Sequence, residues 1–193
     1  MRTVFFDIDT QIDFLFPAGA LYAPGAEKII GTVAKLNHHA ARHRIPLVST
    51  MDAHSENDPE FRDWPHHCVV DTLGQQKPAS TLLETRQIVP NSPCALNLTL
   101  IDQILLEKQT FSAFSNHNFA LLLDHFAAER YVVYGVVTEV CLKLAAFGLL
   151  ETGKRVEIVT DAIRALDEET GAKTLAEFVS LGGHLTQAGM IYA

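Results

Sequence analysis

Residues 131–141, YVVYGVVTEVC, contain the change of pattern that decides the predicted fold. The apolar residues at the start of this stretch predict a buried strand, and from Thr138 onward apolar residues recur at spacings of three and four, which indicates a helix. A strand that runs into a helix in this way places Cys141 in the first helical turn. Unpaired backbone N–H groups and the helix dipole favour a thiolate there, whereas most free cysteines are small buried hydrophobic residues. Cys141 is therefore a candidate nucleophile, with a core residue as the alternative.

The same alternation of strand and helix continues through the rest of the chain. Strands are predicted at residues 3–8, 45–50, 101–108, 131–137 and 155–160, with a further candidate at 184–187. Helices are predicted at residues 26–44, 116–128, 138–152 and 168–181. Strands that alternate with helices of this length predict an α/β fold with three α/β/α layers, built on a mostly parallel sheet of five or six strands. A length of 193 residues suits a single domain, residues 1–193.

A long connection of about residues 53–100 interrupts this pattern. It is rich in Pro, Ser, Thr, Asp and His, and residues 87–89 are its best candidate for a short strand. Loops of this length are uncommon in compact domains and are often functional. We therefore expect the loop to contribute to a binding site.

Composition limits the partners that the surface can bind. The net charge of −8 and the pI near 5.5 would repel a phosphate backbone or an anionic membrane, so we expect neither nucleic acid nor membrane as a partner. No apolar run approaches the ~18 residues of a transmembrane helix. The apolar run before Asp7 is too short for a signal peptide, and three cysteines do not suggest a disulfide framework. We expect a cytoplasmic protein.

Polar residues lie where the predicted strands end. In an open α/β sheet, ligands bind at the carboxyl ends of the strands. Asp9, Asp52, Lys108 and Cys141 lie at such ends, and Asp161 lies at a fifth. A carboxylate near a thiol can act as its general base, and a lysine can hold the resulting negative charges together. Taken singly, Asp9 could equally cap a loop and Lys108 could be a solvated surface residue.

The long loop offers metal ligands. Asp52 and His54 are two residues apart on an extended segment, so their side chains point the same way. The segment WPHHC at residues 64–68 brings further ligand types, and a distant histidine could complete the set. Two histidines and one carboxylate suit Zn, Fe or Mn, and the same set holds Fe(II) in oxygenases. Because the chain has nine histidines, pairs at this spacing arise often by chance, and spacing alone does not establish a metal site.

Taken together, these motifs resemble the isochorismatase-like cysteine hydrolases, and within them the nicotinamidases (pyrazinamidases). The resemblance covers nearly the whole chain. The matching segments are DTQIDF at 9–14, PAGALYAPGAE at 17–27, DAH at 52–54, WPHHC at 64–68, Lys108 with FSAF at 111–114, and GVVTEVC at 135–141.

The resemblance implies the catalytic roles. Asp9 would be the general base, Lys108 its partner and Cys141 the nucleophile. The peptide bond before Val137 would be cis, and the N–H groups of Val137 and Cys141 would form the oxyanion hole. Phe14, Trp64 and Val136 would line the substrate pocket.

The resemblance also implies the metal ligands. Asp52, His54 and His67 would bind one divalent ion, with Zn expected and Fe or Mn as alternatives. Glu60 or Asp63 is an open candidate for a further ligand.

Two features depart from the family pattern. Asp71 replaces the glycine of HCVxGT, which puts the path of the loop in question. The segment of about residues 74–100 is longer than in compact relatives, so it could reshape the pocket.

The predicted function is hydrolysis of a small carboxamide through a cysteine thioester, with nicotinamide converted to nicotinate and ammonia. A sister hydrolase acting on another small amide or ureide is the first alternative. A metal oxygenase with a 2-His-1-carboxylate site is the second, and a non-catalytic binding protein is the third. The expected partner is a small-molecule amide. The oligomeric state is left open, with a homo-oligomer as one alternative.

Overall fold

A seven-stranded sheet, in which every neighbouring pair of strands is parallel, lies at the centre of the computed structural model, which describes residues 1–192. The strand order is β3-β4-β2-β1-β5-β6-β7. The strands are β1 Thr3–Ile8, β2 Leu47–Asp52, β3 Arg86–Val89, β4 Gln103–Lys108, β5 Arg130–Val136, β6 Arg155–Arg164 and β7 His184–Thr186. The helices are α1 Ile12–Leu15, α2 Ile30–Arg42, α3 Phe119–Phe126, α4 Lys143–Glu151, α5 Glu168–Ser180 and α6 Ala188–Ile191.

Helices cover both faces of the sheet, which confirms the predicted three-layer α/β/α fold. Alternate residues of β1 enter two separate cores. Phe6 packs edge to face on Phe119 of α3 at 5.8 Å, whereas Phe5 belongs to the other core, with Leu36 and Ala40 of α2. A parallel strand covered on both faces has no polar face, so β1 is almost wholly apolar. Among residues 1–192, no helix combines the length and the apolarity that a transmembrane span requires.

The sheet has one strand more than the five or six predicted. Residues 87–89, a weak candidate in the sequence, form most of β3, which pairs in parallel with β4. The second strand begins at Leu47 rather than at residue 45. Pro46 has no N–H to donate, and its carbonyl accepts from Phe5 N at 2.9 Å, so the regular ladder begins after it.

The prediction that Asp161 lies at the carboxyl end of a strand is wrong. β6 continues to Arg164 because its pairing with β5 shifts register beside Gly135 and then resumes. Asp161 is therefore inside the strand, where its carboxylate accepts a hydrogen bond from Ala188 N at 2.8 Å, at the start of α6. It takes no part in the candidate site.

Two predicted helices begin with a different kind of turn. Residues 26–44 form a 3₁₀ turn, Ala26–Ile29, followed by α2. Residues 138–152 form a π-helical turn, Thr138–Leu142, followed by α4. Cys141 lies in this π turn, a distortion that occurs frequently at functional sites.

The long loop is fastened to the sheet by a buried polar network. Lys77 Nζ lies 3.4 Å from Asp7 Oδ2 and donates to Thr10 Oγ1 at 3.0 Å. On the same carboxylate, Asp7 Oδ2 accepts from Ser49 Oγ at 2.9 Å and from Asn37 Nδ2 at 3.3 Å. Since all five side chains are buried, Lys77 holds its part of the loop against the carboxyl end of β1.

Gly135 allows β5 to lie close to β1. Its φ is +119°, and a Cβ at this position would lie 2.1 Å from Ile8 O. We expect Gly135→Ala to lower the free energy of unfolding by about 3 kcal/mol or more, because backbone rather than a flexible side chain would have to move. Urea unfolding measures this change.

Gly31→Ala is the matched control. Gly31 lies in α2, and a Cβ there would meet nothing within 4 Å. Alanine should raise the free energy of unfolding by about 0.5–1 kcal/mol at this helical position. Equal effects of the two substitutions would contradict the close approach of β1 and β5.

Candidate active site

A buried lysine brings the predicted catalytic residues together. Lys108 ends β4 and is 1% exposed. Its Nζ lies 2.8 Å from Asp9 Oδ2, donates to Cys141 Sγ at 3.7 Å, and hydrogen bonds to Asp52 Oδ1. Asp9 directly follows β1, and Cys141 follows β5. The strand order β4-β2-β1-β5 therefore gathers residues distant in sequence at one edge of the sheet.

The surroundings of Asp9 suit a base. Its Oδ1 accepts from Thr50 Oγ1 at 2.7 Å, while Oδ2 faces Lys108 and is buried without a well-formed hydrogen bond. Burial raises the pKa of Asp9, Lys108 opposes this rise, and the charge of Asp52 adds to it. The net result is a pKa above that of an ordinary aspartate. Oδ2 of Asp9 can therefore accept a proton.

Burial and the helix start act on the pKa of Cys141 in opposite directions. The start of a helix favours a thiolate, but burial raises the pKa of Cys141 well above its usual range. Lys108 opposes this rise, whereas Asp9 reinforces it. The raised pKa favours the thiol form, because the loss of hydration disfavours a thiolate more than the lysine stabilises it. A thiol of this kind needs a base beside it.

The turn around Cys141 has an unusual backbone. The Val136–Val137 peptide bond is cis, as the resemblance implied. The carbonyl of Val137 accepts hydrogen bonds from Val140 N and Leu142 N, both at 3.1 Å. These two donors flank Cys141 in the chain, so the hydrogen bonds close the turn that contains it.

A mostly apolar pocket of about 330 Å³, including its mouth, opens beside Cys141. Three of its lining residues were predicted as pocket residues, namely Phe14, Trp64 and Val136, and five were predicted in other roles, namely Asp9, Asp52, His67, Val137 and Cys141. Four were not, namely Leu21, Phe111, Val140 and Leu166. The first three of these four lie inside or next to the quoted motifs, so motif position could have found them. Leu166 lies outside every motif, and no sequence signal pointed to it.

The predicted metal ligands form a second cluster beside the first. Ligand atoms of Asp52, His54 and His67 lie within 4.8 Å of one another, and all three residues are buried. Glu60 Oε1 is 3.9 Å from His54 Nε2 and 3.7 Å from His67 Nε2. Asp63 is exposed, and its backbone N–H donates to the Glu60 carbonyl. Of the two candidates for a further ligand, Glu60 is the one at the cluster.

The donor atoms fit one divalent cation. His54 Nε2 is buried without a hydrogen-bond partner, and it lies 3.9 Å from Asp52 Oδ2. Donors about 2.1 Å from a tetrahedral Zn²⁺ are roughly 3.4 Å apart, close to the spacing here. His67 Nδ1 lies 2.7 Å from Pro65 O, which leaves its Nε2 lone pair for a metal. Burial also lowers the pKa of His67, which favours the neutral, ligating form.

Loop contacts hold the two histidines in place. His54 N donates to Cys68 O at 3.2 Å, and Val70 N donates to His54 O at 2.9 Å. Asp13 Oδ2 accepts from Cys68 N at 2.7 Å, a role that sequence reasoning missed. Asp71 has a φ of +66°, the left-handed conformation that a glycine adopts readily. Aspartate is one of the few other residues that tolerate it, so the loop can turn here without the usual glycine.

Comparison with known proteins identifies the family. A family model described as the isochorismatase domain matches residues 3–189, so the chain belongs to the isochorismatase family. It is 25% identical to the nicotinamidase of Saccharomyces cerevisiae over 198 residues, covering 84% of this chain and 88% of that protein.

Solved structures lead to the same group of relatives. The pyrazinamidase of Pyrococcus horikoshii in complex with zinc superimposes with a TM-score of 0.82, at 27% identity over 97% of this chain and 99% of that chain. PnC1 from L. infantum in complex with nicotinate has a TM-score of 0.77, at 25% identity over 97% of this chain and 93% of that one. Nicotinamidases and pyrazinamidases are thus among the relatives of this hydrolase.

Neighbouring histidines provide a test of the metal site. His67→Ala should lower zinc affinity by roughly 10-fold or more, since it removes a donor from the cluster. His66→Ala should leave zinc affinity unchanged, because His66 is exposed and stacks on Phe61 at 4.3 Å. Competition with a chromophoric chelator measures both affinities. Equal zinc affinities of the two variants would argue against the cluster.

Proposed function

We propose that the protein hydrolyses nicotinamide to nicotinate and ammonia through a thioester on Cys141. The observation that carries this proposal is the position of Lys108, whose ammonium contacts Asp9 and Cys141 and also bonds to Asp52 of the metal cluster. A nucleophile, a base and a cation-binding cluster therefore share one pocket. The nicotinamidase and pyrazinamidase relatives support the choice of substrate.

In the first step, Asp9 takes the proton of Cys141, and the sulfur attacks the amide carbon. Lys108 stays protonated, since the charges of Asp52 and Asp9 raise its pKa against the effect of burial. Its positive charge lowers the cost of having a thiolate beside a carboxylate while the proton moves. The backbone N–H groups of Val137 and Cys141 are assigned to the oxyanion. One such donor is worth about 3 kcal/mol in comparable sites.

Ammonia leaves when Asp9 returns the proton to the departing nitrogen, and the acyl group stays on Cys141 as a thioester. Asp9, again a carboxylate, then takes a proton from water, and the resulting hydroxide attacks the thioester carbon. Collapse of this second tetrahedral intermediate releases the carboxylic acid product, and the proton on Asp9 restores the thiol. One residue thus serves as base and acid in both halves of the reaction.

Orientation of the substrate is assigned to the second cluster and the apolar walls. Asp52, His54, His67 and Glu60 would hold one divalent cation, Zn²⁺ in this proposal, and the bound cation would supply a coordination point for the ring nitrogen of the substrate. Phe14, Trp64 and Val136 are assigned to the faces of the ring. Holding the amide carbon near the sulfur accelerates the reaction by removing translational and rotational freedom.

Cys141→Ala should abolish release of ammonia from nicotinamide, with kcat reduced by roughly 10³-fold or more. Cys94→Ala, which changes a half-buried cysteine outside the pocket, should retain activity. Ammonia release is measured against a panel of primary amides and ureides. Mass spectrometry of protein incubated with nicotinaldehyde should place the adduct on Cys141.

Each alternative predicts a different result. No preference for nicotinamide over the other amides would favour a sister hydrolase. Oxygen-dependent activity that survives Cys141→Ala would favour an oxygenase. Absence of turnover on the whole panel, with the metal bound, would favour a binding protein.

The pH dependence of kcat/KM tests the role of Asp9. The base must be ionised to accept the thiol proton, so kcat/KM should fall as pH falls through the raised pKa of Asp9. The acidic limb should therefore lie above the value of about 3.9 for an ordinary aspartate. Thr50→Val removes a hydrogen bond to the charged form and should move the limb to higher pH. Thr50→Ser keeps the hydroxyl, so its acidic limb should stay where it is in the wild type. If the limb does not move in Thr50→Val, Asp9 is not the base.

A further inference from the structure

Leu166 lies on a short segment that no recognised motif covers. The segment of residues 165–167 joins β6 to α5, and Leu166 lines the same pocket as Cys141. Val136 and Val140 line this pocket as well. An acyl group bonded to Cys141 would therefore share its space with the Leu166 side chain. Since that side chain is apolar, it contributes shape rather than charge.

One carboxylate holds this segment. Glu139 Oε1 accepts from Leu166 N at 2.9 Å and from Asp167 N at 2.8 Å. Glu139 belongs to the same π turn as Cys141, two residues before it. Glu139 therefore fixes the backbone of Leu166 relative to the turn that contains Cys141.

The segment is also held from the side of α5. Asp167 caps this helix, with its Oδ1 accepting from Thr170 N at 2.8 Å. A Cβ on Gly171, in the first turns of α5, would lie 2.7 Å from Ala165 Cβ, so the helix packs closely on the segment. With contacts on both sides, the backbone at Leu166 cannot move aside without breaking hydrogen bonds or packing.

We propose that Leu166, positioned by Glu139, sets the upper size of the acyl group that the enzyme accepts. This inference rests on the proposed amidohydrolase function. The favoured substrates are primary carboxamides of a single flat heteroaromatic ring, and contact with Leu166 disfavours ring-substituted or bicyclic carboxamides. The pocket is small, about 330 Å³ even when the open space at its mouth is included, so one side chain is a large part of its wall.

Shortening Leu166 should relax this limit. The probes are nicotinamide, nicotinamides with one added methyl group at each free ring position, and quinoline-3-carboxamide. For the best accepted of the larger probes, Leu166→Ala should raise the ratio of its kcat/KM to that of nicotinamide roughly tenfold, the scale of one methylene in an apolar pocket. Leu166→Val should give a smaller rise. Leu175→Ala, a half-buried leucine of α5 outside the pocket, should leave the ratio unchanged.

Variants of Glu139 test the positioning role. Glu139→Ala removes the acceptor and should raise the same ratio, because the segment is released. Glu139→Gln keeps an oxygen that can accept both N–H groups, so its ratio should stay near that of the wild type. A purely structural role would instead lower kcat/KM for all probes by the same factor.

The outcomes separate the two proposals. If the wild type does not prefer nicotinamide to other amides, the proposed function fails and this inference falls with it. If the wild type hydrolyses nicotinamide but the ratio is unchanged in Leu166→Ala and Leu166→Val, only the inference on Leu166 is overturned. Thermal unfolding checks that each variant is folded, and Leu166→Val decides the question if Leu166→Ala does not fold.

Discussion

The buried ammonium of Lys108 is the interaction on which the rest of the site depends. A lysine that is 1% exposed is stable in charged form only if carboxylates replace its lost hydration, and Asp9 and Asp52 do so from two neighbouring strands. The same ammonium reaches the sulfur of Cys141. Removal of Lys108 would leave two buried carboxylates without a counter-ion, so catalysis and local stability depend on the same residue.

Asp52 connects this ion cluster to the candidate metal centre. One of its oxygens bonds to Lys108, and the other lies 3.8 Å from His67 Nε2. Gln11 holds the backbone on either side, since it accepts from Asp52 N at 2.7 Å and donates to Asp52 O at 2.8 Å. Lys108, together with the neighbouring His54, outweighs the effect of burial and keeps the pKa of Asp52 below its usual range. A change of charge in either cluster therefore alters the electrostatics of the other through the ionised carboxylate of Asp52.

Much of the catalytic cluster could be predicted from the sequence because parallel strands end at a common edge. Asp9, Asp52, Lys108 and Cys141 were placed there by strand ends alone, although β2 proved to be shifted by two residues. Asp161 was misplaced by the same argument, since a register shift beside Gly135 lengthened β6. Lys77, Asp13 and Leu166 were missed because their partners lie on other segments, tens of residues away in the chain. Their roles depend on how the loops pack against the sheet, and the local sequence pattern does not predict this packing.

The sequence by itself determined the layered α/β fold, the order of its elements and the residue types at the strand ends, because hydrophobic periodicity and turn residues act over short distances. Motif resemblance added the family. Only the tertiary structure decided that burial opposes a thiolate at Cys141 despite the helix terminus, and that Glu60 rather than Asp63 adjoins the histidines. It also decided which side chains enclose the pocket. These outcomes depend on distances and desolvation between segments far apart in the chain, which exist only once the sheet has brought them together.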